Sequence, residues 1–438
     1  MIYRLNVLKI CIFLMVFFCS IVGAQIFGIS LNKICMLPLV FYLITTSQKF
    51  SIRKSLFPLA GFYLIGAFAA IVSLTAPYAT IIDGYFSRSA FYTIQLLVLF
   101  IPMLCLISES KRKEEILQST IDSIVLISRI NIVVVFVEMF SFFVVGVGFT
   151  NCILKIFYGI DNAAALINLP AIGVFLRPTG LNMDPAYLGI ILVFGFLFEK
   201  NFVWKLLSFA AVACAMSRSS ILIMTVIAVY SYIKTNGIRN VKPRYFVIAT
   251  ACIIAVVYAM IAIPSVNSQI TGMLSRLHIA NEMKSEDVGT MRHLLYIPKS
   301  IEVFLFQYNP IQQLIGYGPR LSGTIIAHAN VMDVYLNQEM FHTAWSMECD
   351  IAELLLGYGI IGFVLYYCCI FKLRKIKVYG KMLFLVFFLY SIMYDISAST
   401  YAQFVLIVFM SCALFVTSRN RKEVSHAEGK CNSQLLQQ

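Results

Sequence analysis

The sequence predicts an all-α, polytopic membrane protein of about twelve transmembrane helices with one long external loop. Three observations lead there. Of 438 residues, 60% are apolar and only 13% charged, with a mean hydropathy of +0.85, whereas a soluble domain runs nearer a quarter charged. The apolar residues fall in runs close to the ~20 helical residues that cross a hydrocarbon core about 30 Å thick. Basic residues gather in short clusters between those runs. The net charge of +13 is therefore an orientation signal, and no separate basic domain suited to nucleic acid exists.

In chain order, the expected spans lie near 8–24, 29–46, 56–74, 89–107, 121–146, 185–199, 202–217, 219–233, 245–263, 351–371, 381–397 and 400–417. The first has a basic start and ends in Val22-Gly23-Ala24, which resembles a signal-peptidase site. With eleven spans following, it is taken as an uncleaved first helix. The chain thus divides into an N-terminal bundle of about nine helices (1–263, with an outer loop at about 147–184), a long outer loop (264–350), C-terminal helices (351–417) and a tail (418–438).

Orientation follows from Lys and Arg. With a cytoplasmic N-terminus, the inner segments hold 23 of the 34 basic residues, among them Arg53, Lys54, Arg112, Lys113, Lys200, Lys205, Lys372 and Arg374. Reversal would violate the positive-inside rule at nearly every loop, so both termini are expected in the cytoplasm. The outer loop 264–350 carries four of the five histidines (His278, His293, His328, His342) and prolines at 264, 298, 310 and 319. Its stretch 291–308 has the pattern of a helix lying on the membrane surface.

Twelve cysteines are present, mostly inside apolar runs, and none forms a C-x-x-C pair, so neither a zinc site nor a thioredoxin-like motif is indicated. Cys152 and Cys349 both fall on the expected outer face, without a spacing that fixes a bond between them. No phosphate-binding loop, dinucleotide fingerprint or H-E-x-x-H is present. The short, basic inner loops hold no D-x-D pair. A reaction driven directly by ATP or a nucleotide sugar is therefore not expected, nor is a cofactor.

Three outer stretches carry the polar inventory. The first is Arg177-Pro178-Thr179-Gly180-Leu181-Asn182-Met183-Asp184-Pro185. Here a guanidinium fork at the membrane surface suits a phosphate or pyrophosphate. Gly180 permits close backbone approach, and Asp184-Pro185 reads as a helix start. The second is Ser217-Arg218-Ser219 in a tight outer turn; an arginine held at membrane depth costs roughly 2.5–3.5 kcal/mol, so it faces a polar partner or snorkels. The third is His342 through Asp350, then Glu353 and Gly357-Tyr358-Gly359-Ile360-Ile361-Gly362. Asp350 and Glu353 share a helix face at i,i+3, and His342 and Glu348 are credible general bases. Arg292 and Gly316-Tyr317-Gly318 add another outer arginine and a glycine-rich turn. In the fifth span, Asp122 and Arg129 lie seven apart on one face and are expected to support each other near the cytoplasmic interface, and Glu138, deeper in that span, has no evident partner.

The ordered set Arg177-x-x-Gly180 with Asp184-Pro185, then Ser217-Arg218, then Glu348-x-Asp350 and Gly359-Ile360-Ile361-Gly362 is similar to the O-antigen polymerase (Wzy-type) proteins, which share a superfamily with the O-antigen ligases. The resemblance covers roughly 170–365 as motifs and the whole chain as topology. It implies a glycosyltransferase of the bacterial inner membrane, acting in lipopolysaccharide biosynthesis. Undecaprenyl-pyrophosphate-linked oligosaccharide repeat units are joined on the periplasmic face, alongside a separate chain-length regulator. Arg177, Gly180, Asp184, Arg218 and Arg292 would bind substrate, and His342, Glu348 and Asp350 would do the proton chemistry. Ligase-like members carry a histidine at the position of Glu348, which turns the reading toward a polymerase. An O-antigen ligase and a lipid-linked oligosaccharide flippase stand as alternatives.

Overall fold

The computed structural model describes residues 6–21, 25–26, 29–46, 50–73, 82, 84–146, 166–169, 173–182, 184–236, 288–329, 346–347, 349–377 and 379–413. These are mostly helical. The N-terminal part holds α1 (Val7–Ser20), α2 (Leu31–Thr46), α3 (Phe57–Ser73), α4 (Tyr85–Ile94), α5 (Ile101–Glu109) and α6 (Lys113–Val145). A π-helical turn, Gln95–Phe100, joins α4 to α5. There follow α7 (Pro185–Phe198), α8 (Phe202–Cys214), α9 (Arg218–Asn236), α10 (Val288–Phe306), α11 (Pro310–Ile315), α12 (Ser322–His328), α13 (Asp350–Leu373), α14 (Gly380–Met393) and α15 (Thr400–Val408). Two antiparallel hairpins accompany them: β1 (Gln25–Ile26) with β2 (Ile29–Ser30), and β3 (Leu166–Leu169) with β4 (Gly173–Leu176).

Among the described residues, four helical stretches are long and apolar enough to cross a membrane: Lys54–Ser73, Ala90–Glu109, Lys113–Val144 and Asp350–Leu373. Six shorter apolar helices stand beside them. Ten of the expected spans thus have a matching helix of that kind, and 219–233 falls within α9. The expected span 245–263 lies outside the described residues, as does most of the first outer loop. Large apolar side chains such as Phe41, Phe140, Phe202 and Leu206 are 60–76% exposed, a surface that suits hydrocarbon rather than water. The bundle therefore associates with a membrane.

Local signals place the helix ends. Asp184 accepts the Ala186 N–H ahead of Pro185 at the first helical position, and Asn201 caps α8 in the same way at 2.8 Å. Asn309 and Gln312 form a reciprocal capping box at α11. Inside the bundle, α13 packs along α3, with Tyr358 against Gly66 and Leu365 against Gly61. Buried polar pairs tie elements distant in sequence: Tyr63 donates to Gln403 (2.8 Å), Tyr92 pairs with Tyr358 (2.9 Å) and Gln95 donates to Thr400 (3.1 Å).

One end of the bundle collects the basic loops. Arg53 meets Glu109 (3.5 Å), Arg112 bonds Tyr42 and Glu115, Asn6 bonds Glu115, and Lys372 donates to the Ser55 carbonyl (2.9 Å). Arg129 does not support Asp122. Its guanidinium grips Glu199 with two bonds (2.8 and 3.0 Å) and lies over Trp204, while Asp122 accepts from Gln118. Seven residues of helix separate the expected pair by about 10 Å along the axis, whereas Glu199 stands at the end of the neighbouring α7.

Helix α13 is interrupted at Gly359, whose φ of 63° and ψ of −172° belong to a region essentially reserved for glycine. A Cβ there would also lie 2.5 Å from the Gly316 nitrogen and 2.6 Å from the Leu314 carbonyl carbon. The break frees two carbonyls of the preceding turn. Leu356 accepts from the Tyr317 N–H (2.8 Å) and Gly357 from the Gly318 N–H (3.1 Å). The tripeptides Gly316-Tyr317-Gly318 and Gly357-Tyr358-Gly359 thus meet backbone to backbone. The stretch 291–308 is helical over most of its length as α10, and α11 and α12 extend order further into the segment expected as a long loop.

Candidate functional site

Two groups of polar residues occupy the end of the bundle away from the basic loops. The first is built on the loop from β4 to α7. Helix α6 holds it: Asn131 accepts the Leu181 N–H at 3.0 Å and Glu138 accepts the Thr179 N–H at 3.2 Å. Glu138, fully buried, thereby gains the partner that sequence spacing did not disclose. Gly180, at φ 61°, sits where a Cβ would come within 2.6 Å of the Asn131 oxygen, so the loop can lie flat on α6 only without a side chain there. Arg177 is half-buried and its Nε donates to the Ala215 carbonyl at the end of α8 (3.3 Å). Burial lowers its pKa below the ordinary arginine value, Arg218 adds to the effect, and Asp184 opposes it. Arg177, Asp184 and Arg218 are therefore neighbours, and Arg218 is exposed at the start of α9.

The second group surrounds the glycine contact. Pro319 packs on Gly357, which sets Arg320 beside α13 in a left-handed conformation (φ 64°). Glu353, 1% exposed, fixes that conformation: one carboxylate oxygen accepts the Arg320 backbone N–H and the other accepts the Ser322 hydroxyl at 2.5 Å. Ser322 in turn accepts the Met347 N–H (2.9 Å). The Arg320 guanidinium donates to the Ala398 carbonyl (3.2 Å) and lies over the Tyr92 ring at 5.9 Å. Its Nε is buried without a hydrogen-bond partner.

Two more cations approach along the same face of α4. Phe91 and Tyr92 are the third and fourth residues beyond Arg88, so the three share a helix face. Lys33 lies over Phe91 at 5.8 Å, Arg320 over Tyr92, and Arg88 reaches Ser346 at 3.4 Å. Arg320 and Arg88 are the charged neighbours of Lys33, and Glu353 and Asp395 face Arg88. Arg88 and Arg320 thus face two buried carboxylates, with Lys33 beside the two arginines.

Asp350 and Asp395 close the floor of this group. Asp350 accepts the Ser397 N–H (2.7 Å) with one oxygen and faces the Tyr366 hydroxyl (3.5 Å) with the other. Asp395 accepts from the Ser397 hydroxyl and the Ala398 N–H, both at 3.1 Å. Asp350 therefore shapes the turn that presents the Ala398 carbonyl to Arg320. Tyr187 joins the two groups: Asp184 is a neighbour on one side, Arg320 and Asp395 on the other, and its ring packs edge-on against Tyr394 at 5.7 Å.

The structure brings Arg177, Gly180, Asp184 and Arg218 together and sets Asp350 and Glu353 on one buried face. Arg292 lies on α10, with its side chain outside the described residues, and His342 and Glu348 lie outside them altogether. Sequence reasoning missed Lys33, Arg88, Arg320 and Asp395. Lys33, inside the expected span 29–46, and Asp395, inside 381–397, each carried a signal, an ionisable residue in an apolar run. Cys349 is a free, buried thiol directed at the Ile392 carbonyl. Among the described residues, no group of three or more His, Cys, Asp or Glu side chains is arranged to hold a metal ion.

No family model matches the chain, and no curated protein matches it.

Proposed function

We propose that this protein is a polysaccharide polymerase of the O-antigen type. It joins undecaprenyl-pyrophosphate-linked oligosaccharide repeat units on the periplasmic face of the bacterial inner membrane, with both termini cytoplasmic and about twelve spans. The observation that carries this reading is the convergence of Lys33, Arg88 and Arg320 on one face of α4, beside the loop of Arg177. Such a site answers a multiply charged anion presented from the membrane, as a pyrophosphate headgroup is. The gathering of Arg53, Arg112, Lys113 and Lys372 at the opposite end supports the orientation.

In this reading the acceptor sugar hydroxyl attacks the anomeric carbon of the donor glycan. The new glycosidic C–O bond forms as the C–O bond to pyrophosphate breaks, and its electron pair departs on the phosphate oxygen. Arg320, Arg88 and Lys33, each half-buried, stabilise that developing charge. The acceptor proton passes to His342 or Glu348. Glu353 and Asp350 are positioning residues, because their oxygens are committed to the backbone and hydroxyl groups that aim Arg320. Lipid-linked substrates and a chain-length regulator are the partners this reading implies. A surface-polysaccharide gel tests it: deletion should collapse the ladder to core plus one repeat unit, and the wild-type chain should restore it.

One observation favours a second reading. A broken membrane helix beside buried charges is also how transporters build substrate sites, and Gly359 breaks α13 next to Arg320 and Glu353. A flippase would lose every capped species on deletion instead of keeping the single-repeat band.

A further inference from the structure

The geometry points to a membrane-inserted element inside the outer segment: α11 and the adjoining end of α10 lie within the outer leaflet, with acyl chains as their partner. The first support is depth. Gly359 is the tenth residue of α13, about 14 Å along a helix that rises 1.5 Å per residue, and the hydrocarbon core is about 30 Å thick. The end of α11 touches that point, since a Cβ on Gly359 would lie 2.6 Å from the Leu314 carbonyl. Helix α3 agrees: Ser73, its last residue, meets Gly318, while Gly66, two turns further in, meets Tyr358. Tyr358 and Gly359 therefore lie below the outer end of a spanning helix, and α11 reaches them.

Composition is the second support. Residues 303–319 contain no Asp, Glu, Lys, Arg or His, inside an outer segment otherwise rich in them. Their exposed large apolar side chains are Phe306 (81%), Ile311 (65%), Leu305 (54%) and Leu314 (50%), with Gln307, Asn309 and Pro310 exposed between them. Ile360, Ile361 and Val364 of α13 are exposed as well, on a helix long and apolar enough to cross a membrane. The Lys299–Glu302 pair (2.8 Å) precedes the stretch, where an interfacial helix keeps its charges.

Backbone accounting is the third, independent support. Irregular backbone enters hydrocarbon only when its polar groups are satisfied within the protein. Here the Tyr317 and Gly318 N–H groups donate to α13 carbonyls, Gly316 to Gln312, Arg320 to Glu353, and Gln313 reaches the Phe304 carbonyl. The capping box of Asn309 and Gln312 satisfies the start of α11. A loop exposed to water would have no need of this closure.

The test uses the full-length protein in vesicles of dibrominated or ordinary phosphatidylcholine. Ile311→Trp and Phe306→Trp are read as difference spectra against the native protein, with lipid-facing Val364→Trp as reference. Both sites are exposed, so the substitutions leave the packing intact, which a single symmetrical gel-filtration peak verifies. The expected result is loss of the added tryptophan signal in brominated lipid to the extent seen for Val364→Trp, with resistance to aqueous iodide. Quenching by iodide and not by bromine would overturn the inference, as would protection from both, which would place protein over this face. The readout is independent of any catalytic activity.

Discussion

Glu353 holds Arg320 across 33 residues of sequence, its carboxylate accepting the Arg320 backbone N–H while the side chain of Arg320 reaches past it to Ala398. The carboxylate thus orients the arginine through its main chain and leaves the guanidinium free to meet an anion. Ser322 completes the arrangement by donating to the second oxygen.

Replacing that carboxylate separates charge from shape. Glu353→Ala leaves the Arg320 amide and the Ser322 hydroxyl without their acceptor and should cost about 1–3 kcal/mol, read as a lowered melting temperature in detergent. Glu353→Gln keeps one acceptor oxygen and should retain most of the stability. Its polymer ladder should still shorten, because the arginine is no longer aimed by an anion.

The cations themselves should behave differently. Arg320→Ala should abolish the ladder at normal protein levels, since the buried carboxylates then face no counter-charge from the outer segment. Arg320→Lys keeps the charge but not the planar fork and should give short, sparse ladders. Lys33→Ala and Arg88→Ala should each weaken the ladder less than Arg320→Ala does, because each leaves Arg320 in place on the bonds to Glu353 and Ala398 that aim it.

The helix break offers a test of the fold. Gly359→Ala places a Cβ against the α11 backbone in a conformation costing about 1–3 kcal/mol before any clash, so the protein should accumulate poorly or melt early. Gly61→Ala, whose Cβ would meet only the flexible end of Leu365 at 3.2 Å, should be close to neutral by the same measurement.

At the basic end, Arg129→Ala should lower stability by about 1 kcal/mol through loss of its two-pronged grip on Glu199, while Asp122→Ala should leave the melting temperature unchanged. Equal effects would argue for a direct Asp122–Arg129 pair instead.

Helical class, the positions of the apolar helices and the Arg177 loop were legible in the sequence because each rests on local signals: run length and a cap such as Asp184-Pro185. The helix expected at 291–308 declared itself the same way. The second group did not, since Lys33, Arg88, Arg320 and Asp395 come from four separate segments and only tertiary packing brings them together. The Asp122–Arg129 expectation shows the same limit from the other side, because helix periodicity gave a shared face while the competing partner, Glu199, lay 70 residues on. The pairing of two Gly-Tyr-Gly tripeptides was visible as repeated glycine, but not as a contact.

The most direct measurement reconstitutes the purified protein in vesicles with a synthetic undecaprenyl-pyrophosphate-linked repeat unit and follows the lipid-linked products by mass. The proposed function predicts dimers and longer glycans with stoichiometric release of undecaprenyl pyrophosphate, lost in Arg320→Ala. Movement of the repeat unit across the bilayer with no new glycosidic bond would contradict it.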